Sequence, residues 1–90
     1  LGLALVSTMF LAEVRVGFKE GVADPEGENT RKTLSLLGFD SVEAVRAAKV
    51  FEIEVDAPDE EAARAQVQTM CDKLLANPVV NDYTIEVAPR

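Results

Sequence analysis

Apolar and polar positions alternate from Phe10 to Lys19, with Phe10, Ala12, Val14, Val16 and Phe18 on one face. Leu11, Glu13, Arg15, Gly17 and Lys19 occupy the other. Period two with β-branched and aromatic residues predicts a half-buried strand, and Glu20-Gly21 ends it. Asp24-Pro25 then opens a helix, because Asp is a strong N-cap and Pro suits a first helical position where no backbone donor is lost. Glu26 and Glu28 lie at the positive end of the helix dipole, with Arg31 and Lys32 further along. Leu34 and Leu37 form its apolar stripe and Gly38 is its C′ residue. Gly27 in the first turn costs roughly 1 kcal/mol relative to Ala, which close backbone packing or a loose helix start would explain.

Ser41 to Ala48 admits two readings. Val-Glu-Ala-Val-Arg-Ala-Ala has good helix propensity and Ser41 as a cap. The same residues also read as a hairpin: a strand over Val42 to Ala47, a turn at Ala48-Lys49, then a strand over Val50 to Val55. Local rules leave both open. A second helix, capped near Asp59, carries Glu60 and Glu61 in its first turn and runs to about Ala76. Ala63, Val67, Met70 and Leu74 form its buried stripe, with Cys71 flanking it and Leu75 further round. Asn77 takes the left-handed cap position and Pro78 stops the helix. A last strand, Val79 to Val87, puts Tyr83, Ile85 and Val87 on one face and Asp82, Thr84 and Glu86 on the other.

With the hairpin, the order is β-α-β-β-α-β, an α+β class. It predicts a ferredoxin-like sandwich in which two helices cover one face of a four-stranded antiparallel sheet. The other sheet face carries Glu13, Arg15, Lys19, Glu52, Glu54, Thr84 and Glu86, with Leu11 and Val50 among them. Such a face is either solvated or meets another subunit, and a domain of this size gains from association.

Composition narrows the function. Nine Lys and Arg against sixteen Asp and Glu leave a net charge of −7 with no His to titrate near neutrality. So acidic a surface repels phosphate backbones and anionic lipid, which argues against nucleic-acid and membrane partners. The absence of His removes imidazole metal sites and His-based triads. The single Cys removes disulfide frameworks and CxxC pairs. Leu1 to Ala12 carry no charge, yet they lack a basic signal-peptide region and fall short of the ~20 residues of a membrane helix. A cytoplasmic chain is expected, with residues 1–8 an upstream or non-native extension and residues 9–90 one domain.

Candidate chemistry is sparse. Asp56, Asp59, Glu60 and Glu61 lack the glycine and alternating oxygen ligands of an EF-hand loop and read as a helix-start acidic cluster. Cys71 sits on an apolar stripe without an activating base. Gly17, Gly21 and Gly27 are too scattered for a phosphate loop, and Ser7, Ser35 and Ser41 have no base partner. No catalytic residue and no metal ligand emerges.

Two stretches carry a family resemblance. Phe18-Lys19-Glu20-Gly21-Val22-Ala23-Asp24-Pro25-Glu26-Gly27 follows a K-x-G-V-x-D-P-x-G pattern. Met70-Cys71-Asp72-Lys73-Leu74-Leu75-Ala76-Asn77-Pro78-Val79-Val80, followed by Asp82-Tyr83, is the second. With Leu36-Leu37-Gly38-Phe39 and Val45-Arg46-x-x-Lys49, they resemble the PurS family, the small subunit of phosphoribosylformylglycinamidine (FGAM) synthase, over roughly Phe10 to Val87. Ala47-Ala48-Lys49 departs from the family's usual V-G-K, which disfavours a turn needing positive φ. The resemblance favours the hairpin and implies a homodimer or higher assembly.

It also implies a non-catalytic subunit joining a glutaminase to an ATP-dependent synthetase. That complex converts formylglycinamide ribonucleotide, glutamine and ATP to FGAM, glutamate, ADP and phosphate. ATP and magnesium would belong to the synthetase partner, and this chain would bind no cofactor. Ammonia passes between the enzymes and must be kept from bulk water, where it protonates. The partner-contact candidates are Lys19, Arg46 and Lys49, the latter two at the hairpin turn, and Asn77-Pro78 after the second helix. Two rivals share the element order. An ACT-like amino-acid-binding module would need a Gly-rich turn after the first strand. An acylphosphatase-like hydrolase would need an Arg-bearing loop there, and Phe18 to Pro25 has no Arg.

Overall fold

A computed structural model describes residues 8–90. The elements are β1 (Met9–Phe18), α1 (Pro25–Leu36), β2 (Lys49–Asp56), α2 (Glu60–Met70), a π-helical turn (Cys71–Leu75) and β3 (Asn81–Pro89). Among the described residues the sheet has three antiparallel strands in the order β2-β1-β3. β1 is the spine, and its alternation is the one read from the sequence. Ala12, Val14 and Val16 are buried beneath α2, together with Val55, Ala57, Ala63, Val67 and Cys71. The proposed extension at 1–8 lies outside the described residues apart from Thr8. The Thr8 carbonyl accepts from the Ala57 N–H at 3.0 Å, and its hydroxyl donates to Asp56 at 2.7 Å.

The expected fourth strand is absent: residues 42–48 form no regular element, and the turn proposed at Ala48-Lys49 does not exist because Lys49 begins β2. Two physical reasons account for this. Half-buried positions fall at Val42, Val45 and Ala47, which is not the period of two that a strand needs. The Ala47 N–H, moreover, is taken at 2.8 Å by the Asp24 carboxylate, not by a neighbouring strand. A two-residue hairpin turn also favours positive φ, which Ala48-Lys49 supplies poorly.

Helix α1 begins as its sequence predicts. Asp24 is the N-cap and Pro25 the first helical residue. The helix ends in a Schellman motif, with Gly38 at φ +100, the Phe39 N–H donating to Leu34 O at 2.9 Å and the Gly38 N–H to Ser35 O at 3.0 Å. Its stripe, however, is not laid on the sheet. Gly27 is the buried residue of α1, whereas Leu37 is 68% exposed and Leu36 87%. Two leucines on an otherwise polar helix make too narrow a stripe to hold it down.

Helix α2 is capped by Asp59, whose carboxylate accepts from the Ala62 N–H at 2.8 Å. The regular helix stops at Met70 and continues as the π-turn, closed by the Ala76 N–H on Cys71 O at 3.1 Å. The wider turn shifts the phase of the buried stripe, which runs Ala63, Val67, Cys71 and then half-buried Leu75. Met70 is half-buried and Leu74 is 83% exposed, so the stripe expected through Leu74 is corrected.

One clamp joins these parts. The Asp24 carboxylate accepts from the Gly27 N–H at 2.9 Å within its own helix turn and from the Ala47 N–H across the chain. A Cβ built on Gly27 would lie 2.3 Å from the Val45 carbonyl oxygen and 2.7 Å from Asp24 Oδ2. Close backbone packing therefore explains this glycine. The two N–H donors hold the Asp24 carboxyl below its ordinary value, the Gly27 bond contributing most and burial opposing slightly.

Gly27→Ala tests the clamp. Overpacking costs about 1–3 kcal/mol and a helical Ala returns at most about 1 kcal/mol. The obstructing atoms are a backbone carbonyl and a committed carboxylate, so net destabilisation of about 2 kcal/mol is expected, read as a lower denaturation midpoint. Acid provides a second test. Because the folded-state pKa of Asp24 is depressed, its contribution is complete above the unfolded value of about 3.9 and is lost as pH falls through the folded value. Denaturant unfolding between pH 6 and 2 should show Asp24→Asn less stable than the parent at neutral pH, with a shallower loss on acidification.

Candidate functional site

β1 ends, β2 begins and β3 begins at the same end of the sheet, because β1 pairs antiparallel with both neighbours. Short polar ties fix this end. The Lys19 N–H donates to Val80 O at 2.9 Å, and the Asn81 side-chain amide donates to Gly17 O at 3.0 Å. The Asp24 clamp brings residues 45–47 against the start of α1. Ala48 stands beside Gly17, where an added Cβ would lie 3.9 Å from that of Ala48, an ordinary contact. A glycine at position 48 is not needed for this approach, since the Ala48 Cβ would stay in ordinary contact even with a side chain at Gly17.

Two adjoining clefts result, sharing Gly17, Phe18, Ala47 and Ala48. One, of about 460 Å³, is lined further by Val16, Glu26, Lys49, Leu75, Val80 and Asn81. The other, of about 200 Å³, takes in Arg15, Lys19, Gly21, Asp24 and Arg46. Lys19 and Arg46 thus meet in the smaller cleft and Lys49 lines the larger. The Lys49 ammonium sits 5.8 Å from the Phe51 ring centroid, within cation–π range. Neither Lys49 nor Arg46 is at a hairpin turn.

Asn77 and Pro78 line neither cleft and build the turn behind them. The Asn77 side-chain oxygen accepts from the Val79 N–H at 2.9 Å, and its carbonyl accepts from Val80 and Asn81 at 3.1 and 2.7 Å. The Asn77 N–H in turn donates to the Asn81 side-chain oxygen at 2.8 Å. The helix is closed not by a left-handed cap but by Ala76 in extended conformation at φ −133, ψ 145. Sequence reasoning missed Arg15, Phe18 and Asn81 as site residues. For Arg15 a signal existed: it lies on the same outward face of β1 as Lys19.

Among the described residues no polar or charged residue is buried, and no group of three or more Cys, Asp or Glu is arranged to hold a metal ion. The buried Cys71 thiol is pushed up by burial and then by the neighbouring Asp72 charge, away from thiolate reactivity. Tyr83 is likewise raised by burial first and then by donating to Asp72 at 3.1 Å. The outward sheet face carries a row of like charges, Glu13 standing opposite both Glu52 and Glu86. Directly opposed like charges repel, so this row disfavours close approach of another acidic surface.

Known proteins supply the context. This chain is similar to the FGAM synthase subunit PurS of Archaeoglobus fulgidus, 52% identical over 83% of this chain and 94% of that protein. It is 42% identical to the corresponding Methanocaldococcus jannaschii subunit over 88% of this chain and 95% of the other. The crystal structure of M. jannaschii PurS, described as a subunit of formylglycinamide ribonucleotide amidotransferase in purine biosynthesis, superposes with a TM-score of 0.82 at 40% identity. It covers 90% of this chain and 98% of that one. A chain of the Thermotoga maritima PurLQS structure gives a TM-score of 0.82 at 31% identity, over 89% of this chain and 98% of its own. No helix among the described residues is long and apolar enough to cross a membrane. The PurS model, phosphoribosylformylglycinamidine (FGAM) synthase, matches residues 11–89, and the chain belongs to that family.

Proposed function

We propose that this chain is the non-catalytic bridging subunit of an FGAM synthase working in purine biosynthesis in the cytoplasm, its functional domain spanning residues 9–90. The family match over residues 11–89 carries this reading. In the assembly a glutaminase releases ammonia, and the synthetase uses ATP with magnesium to activate the amide oxygen of formylglycinamide ribonucleotide. Ammonia then displaces phosphate to give FGAM. The sum is formylglycinamide ribonucleotide, glutamine, ATP and water to FGAM, glutamate, ADP and phosphate. This chain links the two enzymes and helps keep ammonia from bulk water, where protonation removes its lone pair. The ACT-like alternative is set aside, since nothing in the family match favours an amino-acid effector.

Association with a second copy is part of the same reading. The largest fully buried side chains are Val14, Val67 and Cys71, a small core for the chain's apolar content. Leu36, Leu37 and Phe39 stay 87%, 68% and 55% exposed at the end of α1. Burying a large apolar side chain stabilises by about 1.5–3 kcal/mol, which association recovers here. The Glu52–Glu13–Glu86 row makes the opposite sheet face unsuitable for that purpose. For contacts with the enzymes, Lys19, Arg46 and Lys49 face the clefts at one end of the sheet, with Asn77 and Pro78 shaping the adjacent turn.

Mixing the chain with a matched synthetase and glutaminase should give a co-eluting complex with glutamine-dependent FGAM synthesis. Omitting the chain should abolish the glutamine-driven rate, while ammonium chloride still drives the synthetase. An equal glutamine-driven rate without the chain, and no complex on gel filtration, would falsify the bridging role. Light scattering of the isolated chain should give at least twice the 9.7 kDa of one copy.

A further inference from the structure

The nine cations are not distributed as a net charge of −7 would lead one to expect. Arg31, Arg64 and Arg90 each pair with a carboxylate, at 2.7, 3.8 and 3.2 Å. Arg15, Lys19 and Arg46 have no ion-pair partner among the described residues, yet all three line the cleft of about 200 Å³. Two carboxylates share this lining, Glu20 and Asp24, and Asp24 is committed to the Gly27 and Ala47 N–H groups, which leaves three cations against one free carboxylate. Three cations against one free carboxylate give this cleft a positive excess on an otherwise acidic chain, and such an excess attracts an external anion.

We infer that this cleft receives an acidic segment of a partner enzyme subunit, an inference that rests on the bridging role proposed above and names the chemistry of its contact. The apolar border favours a protein carboxylate over a free anion. The cleft is bordered by Phe18, 44% exposed, with Val22, Ala47 and Ala48 beside it. Arginine next to an exposed aromatic is the composition of protein interface cores, and it suits a segment carrying an apolar side chain alongside its carboxylates. Elsewhere the surface is acidic, so the cleft also sets where and in which orientation such a segment can approach.

The test measures affinity of the full-length chain for the synthetase–glutaminase pair at 50 and 300 mM NaCl. The parent, Arg46→Gln, and Lys19→Glu with Arg46→Glu are compared, with circular dichroism and solution mass recorded for each. At 50 mM salt the neutralised variant should bind about tenfold more weakly and the doubly reversed variant about a hundredfold. The parent's affinity should fall with salt, and the reversed variant's should not. A photo-cross-linker replacing Phe18 should mark a partner peptide containing Asp or Glu. If the parent fails to bind the pair, the bridging reading itself falls. If the parent binds and the reversed variant binds equally with the same salt dependence, bridging stands and the acidic-segment inference is overturned. Two other results overturn it as well. One is a thermal shift by millimolar inorganic phosphate that the variants lose while keeping partner affinity, which would make the cleft a free-anion site. The other is a change in self-association with unchanged partner affinity, which would make a second copy the occupant.

Discussion

A single carboxylate that serves two stretches of backbone underlies the arrangement of the cleft-bearing end of this chain's sheet. Asp24 caps α1 through Gly27 and, 23 residues along the chain, takes the Ala47 N–H. Both bonds are to an ionised acceptor, the stronger kind, and they share one residue, so neither segment can move without the other. The arrangement requires an absent side chain at Gly27, where the Val45 carbonyl approaches to a distance no Cβ tolerates. From this clamp follow the path of residues 42–48, the point at which β2 can begin, and the wall that Arg46, Ala47 and Ala48 present to the end of β1. Local helix capping and long-range architecture are here one interaction.

The remainder of the fold has the character of a part rather than a whole. Its sheet is three strands with one helix laid across, and its core is made of alanines, valines and one cysteine. The larger apolar residues Phe10, Phe51, Ile53, Tyr83 and Ile85 stay half-buried, and the C-terminal end of α1 projects leucines and a phenylalanine outward. Hydrophobic free energy scales with area removed from water, so a chain that leaves this much apolar surface uncovered has its remaining stabilisation available to association. Its polar surface divides too, with a row of three glutamates on the sheet face and three cations without intrachain ion pairs in one cleft. Membership of a multisubunit ligase family and a surface sorted into apolar, acidic and basic zones agree with each other.

The chain's own residues, read in order, were enough for β1, for both helix N-caps, for the Gly38 stop and for the family. Each of those signals is local: alternation over ten residues, Asp before Pro, Asp before a pair of glutamates, glycine after the last turn, a short motif. What failed was also specific. The Val42–Ala47 segment carries tolerable propensity for helix and strand alike and adopts neither, because its backbone donor is satisfied by Asp24 from another part of the chain. The stripe of α2 ends on half-buried Leu75 and not on Leu74 because the π-turn over Cys71–Leu75 adds a residue to the helical period, which no 3.6-residue template contains. Arg15 escaped notice because its membership of the cleft depends on Arg46, thirty-one positions away.

The sequence by itself therefore determined an acidic, His-free PurS-family domain built on an alternating strand and two capped helices, since charge, composition and capping act within a few residues of where they are written. Only the tertiary structure decided that the sheet of the described residues has three strands, that Leu36 and Leu37 stay exposed at the end of α1, and that Arg15, Lys19 and Arg46 share one cleft. The reason is physical. Propensity and periodicity weigh neighbours along the chain, whereas a long-range hydrogen bond, a steric stop at a glycine and a cluster of like charges are set by residues the chain brings together only once it has folded.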